Sequence, residues 1–235
     1  RSTLDRSSAA SDVYNRQRRL LPEENVKRRA LAGAEVLQKG KKLRMTSSAG
    51  TDLTLDKTGR KGVGQYGASD IPGRWDHWPS GQCACAPVEG TAEGILVLDI
   101  GDVILRLERY VSEPIRCIFE NGKIVSIEGG LDAFMLREYF EAWEDEKDYI
   151  PAHIGLGTEH RALWFELGLP GPGGGMDAES FYGDILFGIG ANYFVGLGGE
   201  NVTQAHIDFC MRNCNFWVDD LQVLENGDII PENLK

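Results

Sequence analysis

The chain holds four histidines, His77, His153, His160 and His206, and the last stands two residues before a carboxylate in His206-Ile207-Asp208. On a strand, residues two apart point to the same side, so this imidazole and this carboxylate can converge on one ion. A third ligand must come from elsewhere. His153 is the candidate, because it lies beside the glycine turn of Ala152-His153-Ile154-Gly155-Leu156-Gly157, where backbone can approach closely. Two histidines and one carboxylate with open positions form the donor set of non-haem Fe(II) oxygenases. His-x-Asp tripeptides are common, and the plain alternative is a hydrogen-bonded pair at a strand end. His160, beside Arg161 at the start of an expected helix, is left without a role.

Other motifs are less productive. The five cysteines include Cys83-Ala-Cys85 and Cys210-x-x-x-Cys214, with Cys117 apart. Those spacings do not make a zinc-ribbon pair. An odd number of thiols with no apolar signal-peptide core argues for reduced, buried cysteines in a cytoplasmic setting. Gly62-Val63-Gly64-Gln65-Tyr66-Gly67 has the glycine spacing of a dinucleotide fingerprint, but lacks a convincing strand before it and an acid after it, so turn chemistry is expected there. Neither a GxSxG elbow nor a P-loop is present.

The elements that must position these residues read as β-rich α+β. Residues 1–22 are polar and expected to be an arm. Glu23 to Gln38 has helical composition, with acids first, lysines last and Gly40 as a stop. Strands are expected at Lys42–Thr46, Leu53–Leu55, Ile95–Asp99, Val103–Leu107, Ile115–Glu120, Lys123–Ile127, Asp184–Gly190, Ala191–Val195, His206–Met211, Asn215–Val218, Leu221–Leu224 and Asp228–Ile230. Asn121-Gly122 and Asn226-Gly227 are two-residue hairpin signals. Residues 62–82 and Pro170 to Gly175 are expected to be loops. Leu131 to Trp143 is expected to be a helix whose stripe of Leu131, Phe134, Met135, Tyr139 and Trp143 faces the core.

At 235 residues with a formal charge of −11, the composition disfavours a phosphate-backbone partner, which needs a concentrated positive patch. Most bases fall in Arg16 to Lys42, read as a solvated face or an oligomer contact. No apolar run approaches a membrane span. The sequence begins at Arg1 rather than Met, so a processed chain or a fragment is expected.

From about Leu43 to Ile230 the sequence resembles the 2,5-dihydroxypyridine 5,6-dioxygenases of nicotinic-acid catabolism, which share their fold with aminopeptidase T-type metallopeptidases. The segments that carry the resemblance are Ser48-Ala49-Gly50-Thr51-Asp52-Leu53, the run from Pro72 to Gly81, Ala152-His153-Ile154-Gly155-Leu156-Gly157, and His206-Ile207-Asp208 with Met211-Arg212-Asn213-Cys214. Several segments in the right order are more specific than any one. The peptidases carry a ligand Glu where this chain has Gln82, a bridging Glu where it has His153, and a ligand His near Asn192. A dinuclear hydrolase needs a bridging carboxylate, which a neutral imidazole cannot replace. The substitutions therefore favour one metal with open coordination positions.

The resemblance implies a β-rich metallopeptidase-like C-terminal domain with a few helices. Residues 41–235 would be the metal-binding catalytic domain and residues 1–40 an arm and linker helix, with an upstream α/β domain missing. It further implies Fe(II) on His153, His206 and Asp208, and extradiol-like ring cleavage of 2,5-dihydroxypyridine or a similar hydroxylated N-heteroaromatic to an N-formylmaleamate-type product. The expected partners are the small aromatic substrate and dioxygen, in a cytoplasmic homo-oligomer that binds neither nucleic acid nor membrane. His77 is expected as an acid/base group, its alternative being packing between Trp75 and Trp78. Gln65, Tyr66 and Arg74 are weaker pocket candidates, and Arg212 could orient Asp208. Two competing classes remain: a metallohydrolase activating water on the same triad, and a non-catalytic scaffold.

Overall fold

The computed structural model describes residues 21–74, 76, 80–168, 175–193 and 196–235. The expected arm over residues 1–20, His77 with Trp75 and Trp78, the loop from Pro170 to Gly174, and Val195 lie outside the described residues. Within them the chain is α+β, built on two large antiparallel sheets.

The first sheet has eight strands in the order β15-β14-β13-β1-β2-β5-β8-β9. Its members are β1 (Lys42–Ser47), β2 (Asp52–Asp56), β5 (Glu93–Leu98), β8 (Ile115–Glu120), β9 (Lys123–Glu128), β13 (Cys214–Val218), β14 (Leu221–Glu225) and β15 (Asp228–Ile229). Both Asn-Gly hairpins form as expected. Asn121 and Gly122 have φ of 51° and 81°, and Asn226 and Gly227 have 49° and 86°, which is the twist that suits a two-residue turn between strands.

The second sheet has seven strands, β3-β4-β10-β11-β12-β6-β7. These are β3 (Gly62–Gln65), β4 (Gln82–Cys85), β6 (Val103–Ile104), β7 (Arg109–Tyr110), β10 (Pro151–Gly157), β11 (Ile185–Gly190) and β12 (His206–Met211). One face of each sheet is apolar, and the two faces close on a shared core. Leu43, Met45, Leu53, Leu55, Leu96 and Leu98 from one side meet Ile154, Leu156, Ile185, Phe187, Ile189, Ile207, Phe209 and Met211 from the other. Phe119 and Phe187 join the sheets edge to face, with centroids 6.1 Å apart. Alternation along β10, β11 and β12 therefore sends His153, Gly188, His206 and Asp208 to the opposite, outer face.

Helix α1 (Glu24–Lys39) follows its expectation closely, and Gly40 N–H closes its end on the Val36 carbonyl. Ala34 and Leu37 enter the core. The expected loop at residues 62–82 is corrected: Gly62 to Gln65 is strand β3, and its glycines serve helix packing rather than turns. A Cβ on Gly62 would lie 2.1 Å from the Ala34 carbonyl oxygen, and one on Gly64 2.5 Å from that of Ala30. Only a strand without side chains there lets α1 lie directly on it. The bases of α1 lie at or near the surface, in keeping with a solvated face, and are partnered there. Arg28 Nη1 donates to the Asn233 carbonyl at 2.7 Å, Arg29 lies over the Tyr182 ring and Lys27 pairs with Asp70.

Two further expectations change. The strand expected over Val103–Leu107 stops at Ile104 and turns through a 3-10 segment, with Glu108 left-handed at φ 51°. Helix α2 (Leu131–Glu141) forms, but its buried face is Asp132, Ala133, Leu136 and Phe140. Leu131, Phe134 and Trp143 are 60%, 50% and 40% exposed, whereas Tyr139 packs against the core, so the expected core stripe holds only in part. Of the strand expected over Ala191–Val195, the described residues Ala191 to Tyr193 lie outside any strand, β11 ending at Gly190. All five cysteines are free and buried. Among the described residues no helix is long and apolar enough to cross a membrane.

Candidate metal centre

The outer face of the seven-stranded sheet gathers His153, His206 and Asp208, with one potential ligand atom from each inside a sphere where all lie within 4.8 Å of one another. Register explains the gathering. Gly188 of β11 pairs with His153 of β10 on one side and with Asp208 of β12 on the other, while Gly190 pairs with His206. A β-bulge between Pro151 and His153 resets the pairing. Both neighbours on β11 are glycines, so nothing rises between the two ligand-bearing strands.

His153 Nε2 approaches Asp208 Oδ1 at 2.9 Å, and His206 Nε2 approaches Asp208 Oδ2 at 3.3 Å. The two imidazole centroids are 5.3 Å apart. His206 Nδ1 lies 2.9 Å from the Ala191 carbonyl oxygen. A carbonyl can only accept, so Nδ1 carries a proton; Nε2 donates to Asp208 in the charged ring and presents a lone pair to a cation in the neutral one. Burial opposes charge on both partners. For Asp208 the charge of His206 and hydrogen bonds from both imidazoles outweigh burial and hold the carboxyl far below the usual range. For His206 burial is likewise outweighed by Asp208, and its pKa is raised.

This donor set fits a divalent metal. It offers two imidazoles and one ionised carboxylate, and His153 Nδ1 is buried without a hydrogen-bond partner. Buried polar atoms in native structures rarely stay unsatisfied, and an ion among them is one resolution.

A cavity of about 410 Å³ opens beside the triad, walled by Tyr139, Trp143, Arg106, Gln204 and Glu179. That is within the size range of small-molecule clefts. Glu179 comes from the short helix α3 (Gly175–Ser180). Burial, and then the charge of Asp208, push its carboxyl well above the ordinary value against the opposing bond from Gln82. Neither Glu179 nor Arg106 carries a sequence signal. Tyr139 and Trp143 were visible only as members of a stripe assigned to the core.

The remaining sequence candidates separate. Gln82 Nε2 donates to Gln65 Oε1 at 2.9 Å, so both amides lie in a buried pair on the outer face. Arg74 and Tyr66 are instead occupied in building their own loop. The guanidinium lies 3.9 Å from the Tyr66 ring centroid and donates to Asp76, Gly64 and Ala68. Arg212 does not reach Asp208: its guanidinium stacks over Trp164 and Phe181, and its backbone N–H donates to Asp102. Asn192 bonds Glu89 and the Asn201 N–H, holding a loop rather than an ion. His160 contacts Arg29 and lies 3.8 Å from Glu23.

Residues 8–231 match the protein family described as 2,5-dihydroxypyridine 5,6-dioxygenase. The curated 2,5-dihydroxypyridine 5,6-dioxygenase of Pseudomonas putida KT2440 is 42% identical over 217 residues, which cover 91% of this chain and 61% of that protein. The solved structure of the dioxygenase from the same strain is similar at a TM-score of 0.87 with 42% identity, covering 92% of this chain and 63% of that one. Wild-type AmpT from Thermus thermophilus is similar in fold alone, at a TM-score of 0.63 and 17% identity over 88% of this chain and 55% of that one. The chain thus spans about three-fifths of the length of the P. putida protein.

Proposed function

The chain belongs to the 2,5-dihydroxypyridine 5,6-dioxygenase family, and from that membership we propose that it carries the metal centre of a ring-cleaving dioxygenase acting on 2,5-dihydroxypyridine or a closely similar hydroxylated N-heteroaromatic. The observation that carries this reading is the convergence of His153, His206 and Asp208 within 4.8 Å on one sheet face, beside a cavity with two aromatic walls. We assign Fe(II) to these three residues, and the domain that bears them, residues 41–235 with α1 packed on it, to a metallopeptidase-like fold. The likeness to AmpT supports the fold assignment.

Bound there, Fe(II) would supply dioxygen activation and acidify a ring hydroxyl. The rest falls to the chain. His153, His206 and Asp208 would hold the ion. Tyr139 and Trp143 present ring faces against which a flat heteroaromatic can lie. Arg106 is the cavity's one cationic side chain among the described residues, placed to take an oxygen of the ring. Burial and the charge of Asp208 favour the protonated form of Glu179 beside it. His77 is our assignment for proton transfer at the substrate, on the family resemblance of its segment. A homo-oligomer in the cytoplasm completes the reading.

A metallohydrolase using the same triad is the competing reading. Against it, the described cluster contains a single carboxylate, whereas two hydrolytic cations need a bridging one. The test is to load the full-length protein with Fe(II) anaerobically and follow oxygen uptake with 2,5-dihydroxypyridine. Stoichiometric uptake with ring opening is expected. Turnover that continues unchanged without oxygen would establish the hydrolase instead.

A further inference from the structure

The strand that carries two of the three ligands is only half supported. β11 pairs with β12 along its whole length, from Met211 to His206. On the other side β6 reaches only Phe209 and Cys210. From His206 to Asp208 the outer edge of β12 therefore has no strand beside it among the described residues. In an antiparallel pair a residue turns its N–H and C=O to the same side, alternately toward and away from a given neighbour. At His206 both turn toward the open edge, and one side chain meets both. The Tyr139 hydroxyl donates to the His206 carbonyl oxygen at 3.0 Å and accepts from the His206 N–H at 3.2 Å.

Tyr139 is itself anchored. Its neighbours on α2, Ala133, Leu136 and Phe140, are fully buried in the shared core, and its ring meets Phe140 and Trp143 edge to face at 5.4 and 6.4 Å. The same ring walls the cavity beside His206 and Asp208.

We propose that Tyr139 is a positioning residue for the metal centre: its hydroxyl stands in for the missing strand at His206, fixes that imidazole against Asp208, and so sets metal affinity and coordination geometry. The proposal rests on reading the triad as a metal site. Fixing the backbone fixes the Cα–Cβ direction, and the Ala191 bond then fixes the ring about it.

The experiment compares full-length protein with Tyr139→Phe, which keeps the ring and removes both bonds, and with Ala133→Gly, which loosens the same helix away from the Tyr139 ring and His206. Fe(II) affinity is measured anaerobically by competition with a chelator, and geometry by the visible spectrum of the Co(II)-substituted proteins. Tyr139→Phe is expected to load to the same stoichiometry with an affinity weakened roughly tenfold, in line with losing a group that orients a ligand, and with shifted Co(II) bands. Ala133→Gly is expected to keep parental affinity and bands. Unchanged affinity and bands in Tyr139→Phe would overturn the proposal, as would equal losses in both variants that track their loss of thermal stability. Failure of the parent protein to bind either ion would instead remove the metal reading beneath it.

Discussion

The imidazole of His153 lies flat over the backbone of Gly188. A Cβ added at Gly188 would stand 2.5 Å from Nε2, 2.7 Å from Cδ2 and 2.8 Å from Cε1. With β11 between their strands, His153 can approach Asp208 only by crossing that bare position. Gly188→Ala is therefore expected to push the ring off Asp208, because the blocking atoms are a side chain that can move. Fe(II) affinity should fall by about tenfold or more, while the thermal midpoint of the metal-free protein shifts by only a few degrees. Chelator competition and calorimetry on the same preparations check both. An alanine variant with parental affinity would show that the crossing is not needed.

Asp208 supplies the only charge in the donor set, and both imidazoles face it. Asp208→Asn preserves shape and removes that charge. It should abolish iron retention after desalting, with stoichiometry falling from near one per chain toward zero, because two neutral imidazoles alone bind a hard divalent ion poorly. His153→Ala and His206→Ala are expected to do the same. Metal analysis of the purified variants is sufficient, and iron carried through by any of them would remove that residue from the ligand set.

The candidate cluster was legible because strand alternation is local: His206 and Asp208 had to share a face once β12 was recognised. His153 was chosen for its glycine neighbourhood, but the glycine that admits it, Gly188, is 35 residues away and says nothing about His153 until the register is known. The glycines of β3 misled for the same reason. Gly62 and Gly64 look like a turn, and only the approach of Ala30 and Ala34 on α1 shows why side chains are excluded there. On α2 the apolar stripe was real, yet its neighbours Ala133, Leu136 and Phe140 took the core. Periodicity identifies an amphipathic helix without saying which of two apolar flanks meets the sheet. Arg106 and Glu179 left no local trace, because a lone charged residue matters only through what tertiary contacts place beside it.

Arg106 shares the cavity with His206 and Asp208, and its charge opposes the charged form of His206. A dihydroxylated ring bound through one oxygen leaves its second oxygen pointing away from the metal, where a guanidinium can donate two hydrogen bonds. Arg106→Met should raise KM for 2,5-dihydroxypyridine by roughly 10- to 100-fold, the loss of a charge-assisted bond of about 1.5–3 kcal/mol. Iron content should be unchanged. Arg106→Lys should recover part of the loss, since it restores charge but not the planar fork. Steady-state oxygen uptake on iron-quantified protein separates the outcomes, and a KM unaffected in Arg106→Met would place the substrate elsewhere in the cavity.

The last expectation concerns stability rather than catalysis. Asp102, 6% exposed, accepts the Arg212 N–H at 3.1 Å and the Asp99 N–H at 2.8 Å. Burial outweighs both bonds and pushes its pKa up to about 7 from 3.8. An acid whose folded pKa is raised binds its proton more tightly in the native state than in the unfolded one. Its contribution is fully present below the unfolded value near 4 and is lost as pH rises through 7, at about 1.4 kcal/mol per pH unit and roughly 4 kcal/mol in all. Asp102→Asn cannot titrate, though it gives up one acceptor oxygen and starts from a lower stability. The parent's advantage over the variant should therefore shrink as pH rises from 4 to 7 and level off above. Groups common to both proteins, the buried Asp184 among them, cancel in that difference. Urea denaturation of both proteins at half-unit pH intervals measures it, and a difference constant from pH 4 to 8 would mean that Asp102 stays ionised in the folded protein despite its burial.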